Sequence, residues 1–247
     1  MSSNISARLH LLRIALTRRF IWNDVTALAR EYGMDYQDVI GNTGPLDLAG
    51  MLTKTQTKQR MPVDLGDPEA FTPQGAPGHF HSEPSVSRFL YQLALSIPAQ
   101  TIIELGCFTG WSTAHLALAI QQTGGKVWAL DPCHRYLDAA HANLKRHQLE
   151  GWATWVEGTS LDPSVMEQLP PQAQLIFLDT SHAYPDTRDE ILAYAPRLAP
   201  GGFLVLHDAV SAPGVRRSLV ELKDRFDIHV FASERGHGVA VLRPRSP

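Results

Sequence analysis

Cysteine is scarce in this chain of 247 residues, which contains only Cys107 and Cys133, and neither lies in a Cys-x-x-Cys pair. A disulfide framework and a structural zinc site are both disfavoured by this scarcity, and a reducing compartment is indicated. Long apolar runs are also missing, because stretches such as Leu116–Ile120 fall far short of the ~20 residues that cross a bilayer. We therefore expect a cytoplasmic protein with no membrane partner.

An excess of basic residues is absent as well. The chain has 22 Lys and Arg against 25 Asp and Glu, which gives a formal charge of −3 and a pI near 6.4. Proteins that bind nucleic acid usually carry a basic balance or a basic stripe, so no nucleic-acid partner is expected. Hydrophobic residues make up 44% of the chain, which is enough for a buried core and argues against intrinsic disorder.

The first 23 residues contain four Arg and no acidic residue, a composition also found in mitochondrial targeting peptides. Their apolar residues recur at helical spacing and favour an amphipathic helix that packs on another surface: Ile5, Leu9, Leu12, Leu16 and Phe20. We predict that residues 1–61 are helical. These helices are expected to cap the site or to join copies of the chain into a homo-oligomer.

The composition changes between Pro62 and Ser85, where five Pro and three Gly fall within 24 residues. Loops longer than ~12–15 residues are usually lids, binding loops or linkers. A lid over the active site and a plain linker both remain open, and His79 and His81 are either site contacts or ordinary surface residues. The predicted domains are a helical segment with this loop, residues 1–80, and a second domain, residues 81–247.

After Pro84, short apolar runs alternate with helical segments, which is typical of a parallel sheet covered by helices on both faces. Five strands are predicted: Thr101–Leu105, Lys126–Leu130, Ala153–Val156, Gln174–Leu178 and Phe203–His207. The helices are expected at Trp111–Gln121, Arg135–His147, a short segment from Pro163, Asp186–Leu198 and Val215–Arg225. The runs Asp227–Ala232 and Val239–Leu242 must pair antiparallel, because a parallel crossover needs a dozen or more residues. The sequence predicts a doubly wound α/β fold.

A glycine turn follows the first of these strands, in the segment Glu-Leu-Gly-Cys-Phe-Thr-Gly-Trp that begins at Glu104. The next strand ends in Asp131, 27 residues after Glu104, where a carboxylate can accept the hydroxyls of a ribose. A glycine turn that leads into a helix, followed by such an acid, predicts a nucleoside cofactor. A dinucleotide is disfavoured because Cys107 and Phe108 stand where its middle glycine would be.

Together with Glu157-Gly158-Thr159-Ser160, Leu178-Asp179 and Pro200-Gly201-Gly202, these motifs resemble those of class I S-adenosylmethionine-dependent methyltransferases over about residues 84 to 247. The resemblance implies a seven-stranded, mostly parallel sheet whose last strand is antiparallel. It also implies that the glycine turn lies at the methionine part of the cofactor, Asp131 at the ribose, and the Gly158 segment at the adenine. The expected cofactor-binding residues are Glu104, Gly106, Thr109, Gly110, Asp131, Gly158, Thr159, Ser160 and Asp179.

The segments 177–184 and 201–208 are similar to small-molecule O-methyltransferases, including those for natural-product sugars, the cephalosporin-hydroxylase-like group and the catechol type. The similarity implies that Asp179, His207 and Asp208 hold Mg²⁺ or another divalent cation. It further implies that His182 is the catalytic base, supported by Asp179 and Asp208. Two departures weaken the case for Mg²⁺, since His207 replaces an acid and Ala209 stands where catechol-type relatives carry Asn.

The predicted activity is methyl transfer to a hydroxyl of a small molecule, such as a secondary metabolite or a sugar. The alternatives are a metal-independent N-methyltransferase, a dinucleotide oxidoreductase and a cofactor-binding scaffold without turnover. His182 could also be a loop residue that merely caps the following helix. No motif identifies the methyl acceptor.

Overall fold

The computed structural model describes residues 46–47, 61–73 and 81–245. The helices predicted before residue 46 and the homo-oligomer contact assigned to them lie outside the described residues. Within the described residues, eight strands form one sheet, in the order β1-β7-β8-β6-β5-β2-β3-β4. Their bounds are β1 Leu46–Asp47, β2 Thr101–Leu105, β3 Lys126–Asp131, β4 Ala153–Glu157, β5 Ala173–Leu178, β6 Leu198–His207, β7 Phe226–Ala232 and β8 Val239–Pro244.

Six α-helices connect or flank these strands in the described chain: α1 Pro84–Ser96, α2 Trp111–Thr123, α3 His134–Arg146, α4 Pro163–Met166, α5 Tyr184–Tyr194 and α6 Pro213–Leu222. Short 3-10 turns lie at Pro68–Phe71, Glu150–Trp152 and Ala195–Arg197. Four of the α-helices have proline at their first or second position, where the missing N–H costs nothing. None of the helices in the described residues has the length and apolarity that a membrane span requires.

The sheet directions confirm the predicted fold. All neighbouring strands are parallel except β8, which pairs antiparallel with both β6 and β7. The chain order reverses at β2, which pairs with β3 on one side and β5 on the other. Ligands of such folds bind at this reversal, beyond the carboxyl ends of the strands. The seven strands β2 to β8 match the predicted seven-stranded sheet, while β1 is a short addition at its edge.

Strand β1 lies within residues 1–61, which the sequence predicts to be helical. Leu46 and Asp47 differ from that prediction, because they pair in parallel with Phe231 and Ala232 of β7. A strand of two residues is too short to show an alternating pattern in the sequence. Its pairing partners lie about 185 residues away, so only the tertiary fold specifies this strand.

Helices bury both faces of the sheet, which explains why its strands read as continuous apolar runs. Neighbouring residues of β2 point to opposite faces: Ile102 lies in a core with α1 and α2, and Ile103 in a core with α5 and α6. The described part of the loop predicted between Pro62 and Ser85 also packs on the domain. Phe71 is 1% exposed and meets the Trp111 ring edge-on at 5.1 Å. His79 and Phe80 of this loop lie outside the described residues.

Candidate active site

A cleft of about 830 Å³ opens at the carboxyl edge of the sheet, where the strand order reverses. The ends of four neighbouring strand segments contribute to its wall, which includes these residues predicted from the sequence: Gly106, Asp131, Thr159, Ser160, Asp179 and His182. His81, from the loop before α1, also lines it. Other predicted residues lie outside the wall that the structure describes: Glu104, Thr109, Gly110, Gly158, His207 and Asp208.

The two glycines of the turn are needed for packing within the protein. Both have positive φ angles, +84° at Gly106 and +85° at Gly110. A Cβ on Gly106 would lie 2.0 Å from the carbonyl oxygen of Asp179, so glycine allows the turn to touch the end of β5. A Cβ on Gly110 would lie 3.0 Å from the Cβ of Ala140, so this glycine brings the start of α2 against α3 rather than against a strand.

Asp131 holds the glycine turn from the neighbouring strand. Its Oδ2 accepts the backbone N–H of Phe108 at 3.0 Å, and its Oδ1 accepts that of Cys133 at 2.9 Å. Burial raises the pKa of this carboxyl group above its usual value, against these two hydrogen bonds. Because Asp131 also lines the cleft, its remaining lone pairs can accept ribose hydroxyls.

Glu104 lies on β2 beneath the turn and is fully buried. Its Oε2 accepts the hydroxyl of Thr113 at 2.5 Å, while Oε1 has no hydrogen-bond partner among the described residues. Burial raises the pKa of Glu104 to about 7. An unpartnered buried carboxylate oxygen fits a ligand that carries a positive charge, as S-adenosylmethionine does at its amino group and its sulfur.

The far end of the cleft is held together by Glu190 of α5. Its carboxylate accepts the hydroxyl of Ser160 and, at 2.7 Å, that of Thr180. Tyr194 donates its hydroxyl to the Ser160 carbonyl at 2.6 Å. These bonds tie the loop after β4 to the loop after β5, and they place Thr159 and Ser160 in the wall where the adenine was predicted. Gly158, at φ +144°, packs against Val165.

Beside this cleft, two histidines and two aspartates converge. The ligand atoms of Asp179, His182, His207 and Asp208 all lie within 4.8 Å of one another. His182 Nε2 is 3.1 Å from Asp179 Oδ1 and 3.3 Å from Asp208 Oδ2. His207 Nδ1 is 3.1 Å from each of the same two oxygens. The structure thus brings together the residues that the sequence predicted as catalytic and metal-binding.

Two further residues that sequence reasoning missed surround this cluster. Glu83 is fully buried, and its Oε2 lies 2.7 Å from His207 Nε2. His237, in the β7–β8 turn, places Nδ1 2.9 Å from Asp208 Oδ1. Glu83 directly precedes Pro84 and reads in the sequence as an acid at a helix start, which gives no sign of a partner 124 residues away. Contacts of this range leave no local sequence signal.

The charges within the cluster stabilise one another. Burial alone would raise the pKa of Asp179, but the neighbouring His207 and His182 outweigh it and lower this pKa to about 2. Burial would likewise lower the pKa of His207, yet Asp179, Asp208 and Glu83 raise it well above its usual value. Burial would also raise the pKa of Asp208, but His207 outweighs this effect and lowers it. The two carboxylates are therefore kept ionised by the histidines beside them.

His182 does not act as a helix cap. Helix α5 begins at Tyr184 after Ala183, and the His182 ring bonds Asp179 at 3.1 Å. Its backbone has φ +58°, as Asp208 has φ +56°, so both loops turn sharply in the left-handed region beside the cleft. The interpretation of His182 as a cap is wrong, and its position at the cluster agrees with a role in chemistry.

Strand order, glycine turn and strand-end acid together define a class I methyltransferase fold. Comparison with known proteins agrees: residues 103–209 match the family model described as a methyltransferase domain. The predicted methyltransferase-type fold is therefore confirmed.

A catechol O-methyltransferase from Niastella koreensis is 29% identical to the chain over 133 residues, which are 53% of this chain and 58% of that protein. The chain thus aligns with little more than half of this relative's length. Among solved structures, the O-methyltransferase from Bacillus cereus in complex with SAH has a TM-score of 0.65 at 19% identity, covering 78% of this chain and 96% of that one. TomG from Streptomyces achromogenes, an O-methyltransferase involved in tomaymycin synthesis and solved with SAM, has a TM-score of 0.59 at 16% identity, covering 98% and 96%.

Proposed function

We propose that this chain transfers the methyl group of S-adenosylmethionine to a hydroxyl oxygen of a small molecule, of the kind found in secondary metabolites or sugars. The observation that carries the proposal is the shared wall of the cleft. Gly106 and Asp131, predicted to bind the cofactor, line the same space as Asp179 and His182, and His182 can receive a proton. Cofactor and acceptor can therefore meet in one place.

In this proposal the cofactor lies along the ends of β2, β3 and β4. Asp131 accepts the ribose hydroxyls, and the Thr159 and Ser160 loop borders the adenine. Glu104 supplies negative charge below the methionine part, where its free Oε1 has been left without a partner in the described chain. Positioning matters because methyl transfer is an in-line displacement, in which the acceptor oxygen must approach the methyl carbon from the side opposite the sulfur.

His182 is the proposed proton acceptor. Its side chain is 30% exposed and lines the cleft, whereas the side chain of His207 is 6% exposed. An acceptor hydroxyl in the cleft can therefore approach this ring. Because Nε2 donates to the two aspartates, the hydroxyl proton passes to Nδ1. Asp179 and Asp208 orient the ring and stabilise the imidazolium that forms when it takes the proton. The methyl carbon passes to the oxygen, and S-adenosylhomocysteine leaves.

A divalent cation fits beside this base. Asp179, His207 and Asp208 would hold it, since two ionised carboxylates and one ring nitrogen face a common point. When bound, such an ion acidifies a hydroxyl and helps to orient it. The catechol O-methyltransferase and the tomaymycin-synthesis enzyme found among the similar proteins support a hydroxyl acceptor and a natural-product type of substrate, respectively.

A second candidate, N-methylation without a metal, keeps the same cofactor site. It is favoured by one observation, because His182 and His207 fill the space between the two aspartates with their own hydrogen bonds. If the enzyme methylates nitrogen, the two histidines and two aspartates bind no metal and serve only to take up the proton of the amine.

The experiment is a methyl-transfer assay with labelled S-adenosylmethionine and panels of catechols, sugars and amines, before and after exhaustive chelation. We expect O-methyl products, identified by NMR, and binding of S-adenosylhomocysteine but not of NAD in calorimetry. Binding of NAD alone would contradict the proposal, and N-methyl products that survive chelation would replace it with the second candidate. An absence of turnover with every acceptor, despite S-adenosylhomocysteine binding, would favour a scaffold.

A further inference from the structure

We infer that the site formed by Asp179, His207 and Asp208 selects a borderline divalent transition metal, of the class of Fe²⁺, Co²⁺ and Zn²⁺, over Mg²⁺. The same geometry makes Glu83 the positioning residue that aims His207 at the ion. The inference rests on the proposed function only in treating the neighbouring cleft as the site of the methyl acceptor. The metal ligands themselves are identified from the positions of the residues.

The buried imidazole is the first observation. His207 Nδ1 points at Asp179 Oδ1 and Asp208 Oδ2, at 3.1 Å from each, so one nitrogen and two carboxylate oxygens converge. Mg²⁺ is a hard cation that prefers oxygen ligands and binds water strongly. An imidazole nitrogen suits Zn²⁺, Fe²⁺ and similar ions better. A site with a nitrogen ligand in this buried position therefore binds Mg²⁺ less tightly than a site made only of oxygen ligands.

Glu83 is the second observation, because it lies behind the other ring nitrogen. Its Oε2 is 2.7 Å from His207 Nε2, and a ring that donates Nε2–H to this carboxylate presents the Nδ1 lone pair to the ion. The other oxygen of Glu83 accepts the hydroxyl of Ser233 and the backbone N–H of His237 at 3.3 Å. A carboxylate held by three donors cannot swing away, so it fixes both the ring orientation and its tautomer.

The same distances also fit a proton in place of the ion. His207 would then be a permanent imidazolium that joins Glu83 to Asp179 and Asp208, with a structural role only. Metal binding separates the two cases, because a site built around an imidazolium does not discriminate among metals through its nitrogen.

The test is calorimetric titration of the chelator-treated full chain with Co²⁺ and with Mg²⁺, together with the visible absorption of bound Co²⁺. We expect one Co²⁺ per chain, bound at least ~10-fold more tightly than Mg²⁺. Most protein sites favour late transition metals to some degree. The informative quantity is therefore the change in this ratio in His207→Asp, which replaces the buried nitrogen ligand by an oxygen ligand. The ratio should fall by ~10-fold or more, and the absorption of bound Co²⁺ should change.

Glu83→Gln keeps all three ligands and tests positioning. Its Co²⁺ affinity should fall by ~10–100-fold, while the affinity for S-adenosylhomocysteine stays constant. The matched control is His134→Ala: this exposed histidine also lies beside two carboxylates, those of Asp138 and Glu157, and its loss should leave Co²⁺ binding unchanged. If His207→Asp fails to fold because it faces Glu83, the double variant Glu83→Gln/His207→Asp removes the clash of charges.

Equal Co²⁺-to-Mg²⁺ ratios in wild type and His207→Asp would overturn the inference, as would a complete lack of Co²⁺ binding. Loss of Co²⁺ binding in His134→Ala would also overturn it and assign the ion to the surface. Failure of the proposed function looks different, because S-adenosylhomocysteine binding and methyl transfer would be missing while the metal ratios still responded to His207.

Discussion

The two halves of the cleft are built in different ways. The cofactor half consists of the turn 106–110, Asp131 and the pair Thr159 and Ser160. It is held by backbone N–H groups that donate to Asp131, by the side chains of Glu190 and Tyr194, and by close packing at the two glycines. The acceptor half consists of the wall residues Asp179 and His182 and of Glu83, His207 and Asp208, which adjoin them outside the wall. It is held by contacts between charged side chains. The first half is local in the sequence, whereas the second spans 125 residues.

This difference separates binding from chemistry. Backbone groups in the cofactor half keep their charge and position whatever is bound, so they suit a ligand that is the same in every turnover. The carboxylates and imidazoles of the acceptor half change protonation or take a cation easily, so they suit the step in which a proton moves. Substitutions in the two halves should therefore affect different quantities.

The largest effect is expected from His182→Ala. Removal of the proton acceptor should lower kcat by ~10²–10⁴-fold, because that is the usual contribution of a general base. Affinity for S-adenosylhomocysteine should stay within about twofold of wild type. Steady-state kinetics and calorimetry on the same preparation measure both quantities.

The control for that experiment is the free energy of unfolding, measured in denaturant. His182 caps no helix, but its loss removes the contacts with Asp179 and Asp208, so stability should fall moderately and kcat is compared on the folded protein. An unchanged kcat would exclude His182 as the base and move the role to Asp208 or to a metal-bound group.

The next largest effect is expected from Glu104→Gln. This variant should raise the stability of the ligand-free protein and lower its affinity for the cofactor. The folded pKa of about 7 lies above the ordinary value of 4.5, so ionisation of Glu104 opposes folding. Without ligand, wild type loses stability as the pH rises from about 4.5 through 7. The variant should therefore be more stable by up to about 3 kcal/mol at pH 8, and the gain should shrink toward zero near pH 4.5.

Cofactor affinity should fall in the same variant, since Gln cannot balance a positive charge. Denaturant unfolding of both proteins at pH 5 and pH 8, with and without S-adenosylhomocysteine, tests the two effects together. A stability difference that does not depend on pH would show that Glu104 is not the titrating group.

The same contrast explains what the sequence could predict. The strands, the glycine turn and Asp131 follow from local periodicity and spacing, and the structure places them as expected. Asp179, His182, His207 and Asp208 were predicted from the resemblance of their segments to small-molecule O-methyltransferases, and the structure places them together at the carboxyl ends of β5 and β6. Glu83, His237 and β1 were missed because their partners are distant in sequence. The packing roles of Gly106 and Gly110 were also beyond reach, since they depend on which backbone lies opposite.

A smaller effect is expected from Asp131→Asn, which tests the cofactor half. The amide keeps one oxygen acceptor but loses the charge and the second acceptor, so S-adenosylhomocysteine should bind more weakly by ~1–3 kcal/mol. The kcat at saturating cofactor should change much less than in His182→Ala. Glu157→Gln is the matched control, because Glu157 ends the next strand in register with Asp131 but faces His134 on the surface. Equal losses in both variants would show a general effect of charge rather than a ribose contact.

The smallest expected effect comes from Ser233→Ala, which asks how much the distant hydrogen bonds of the acceptor half contribute to its order. The Ser233 hydroxyl donates to Glu83 and accepts the N–H of Gly238 at 2.7 Å, so it connects α1 to the β7–β8 turn. Its loss should cost about 1 kcal/mol of folding free energy, because Glu83 keeps His207 and the His237 N–H as donors. Ser164→Ala, which removes an exposed hydroxyl bonded to Asp162, should cost less. Chemical denaturation of the two variants gives the comparison. A loss in Ser233→Ala no larger than in Ser164→Ala would mean that packing alone positions Glu83, and that the acceptor half depends on its distant contacts less than its geometry indicates.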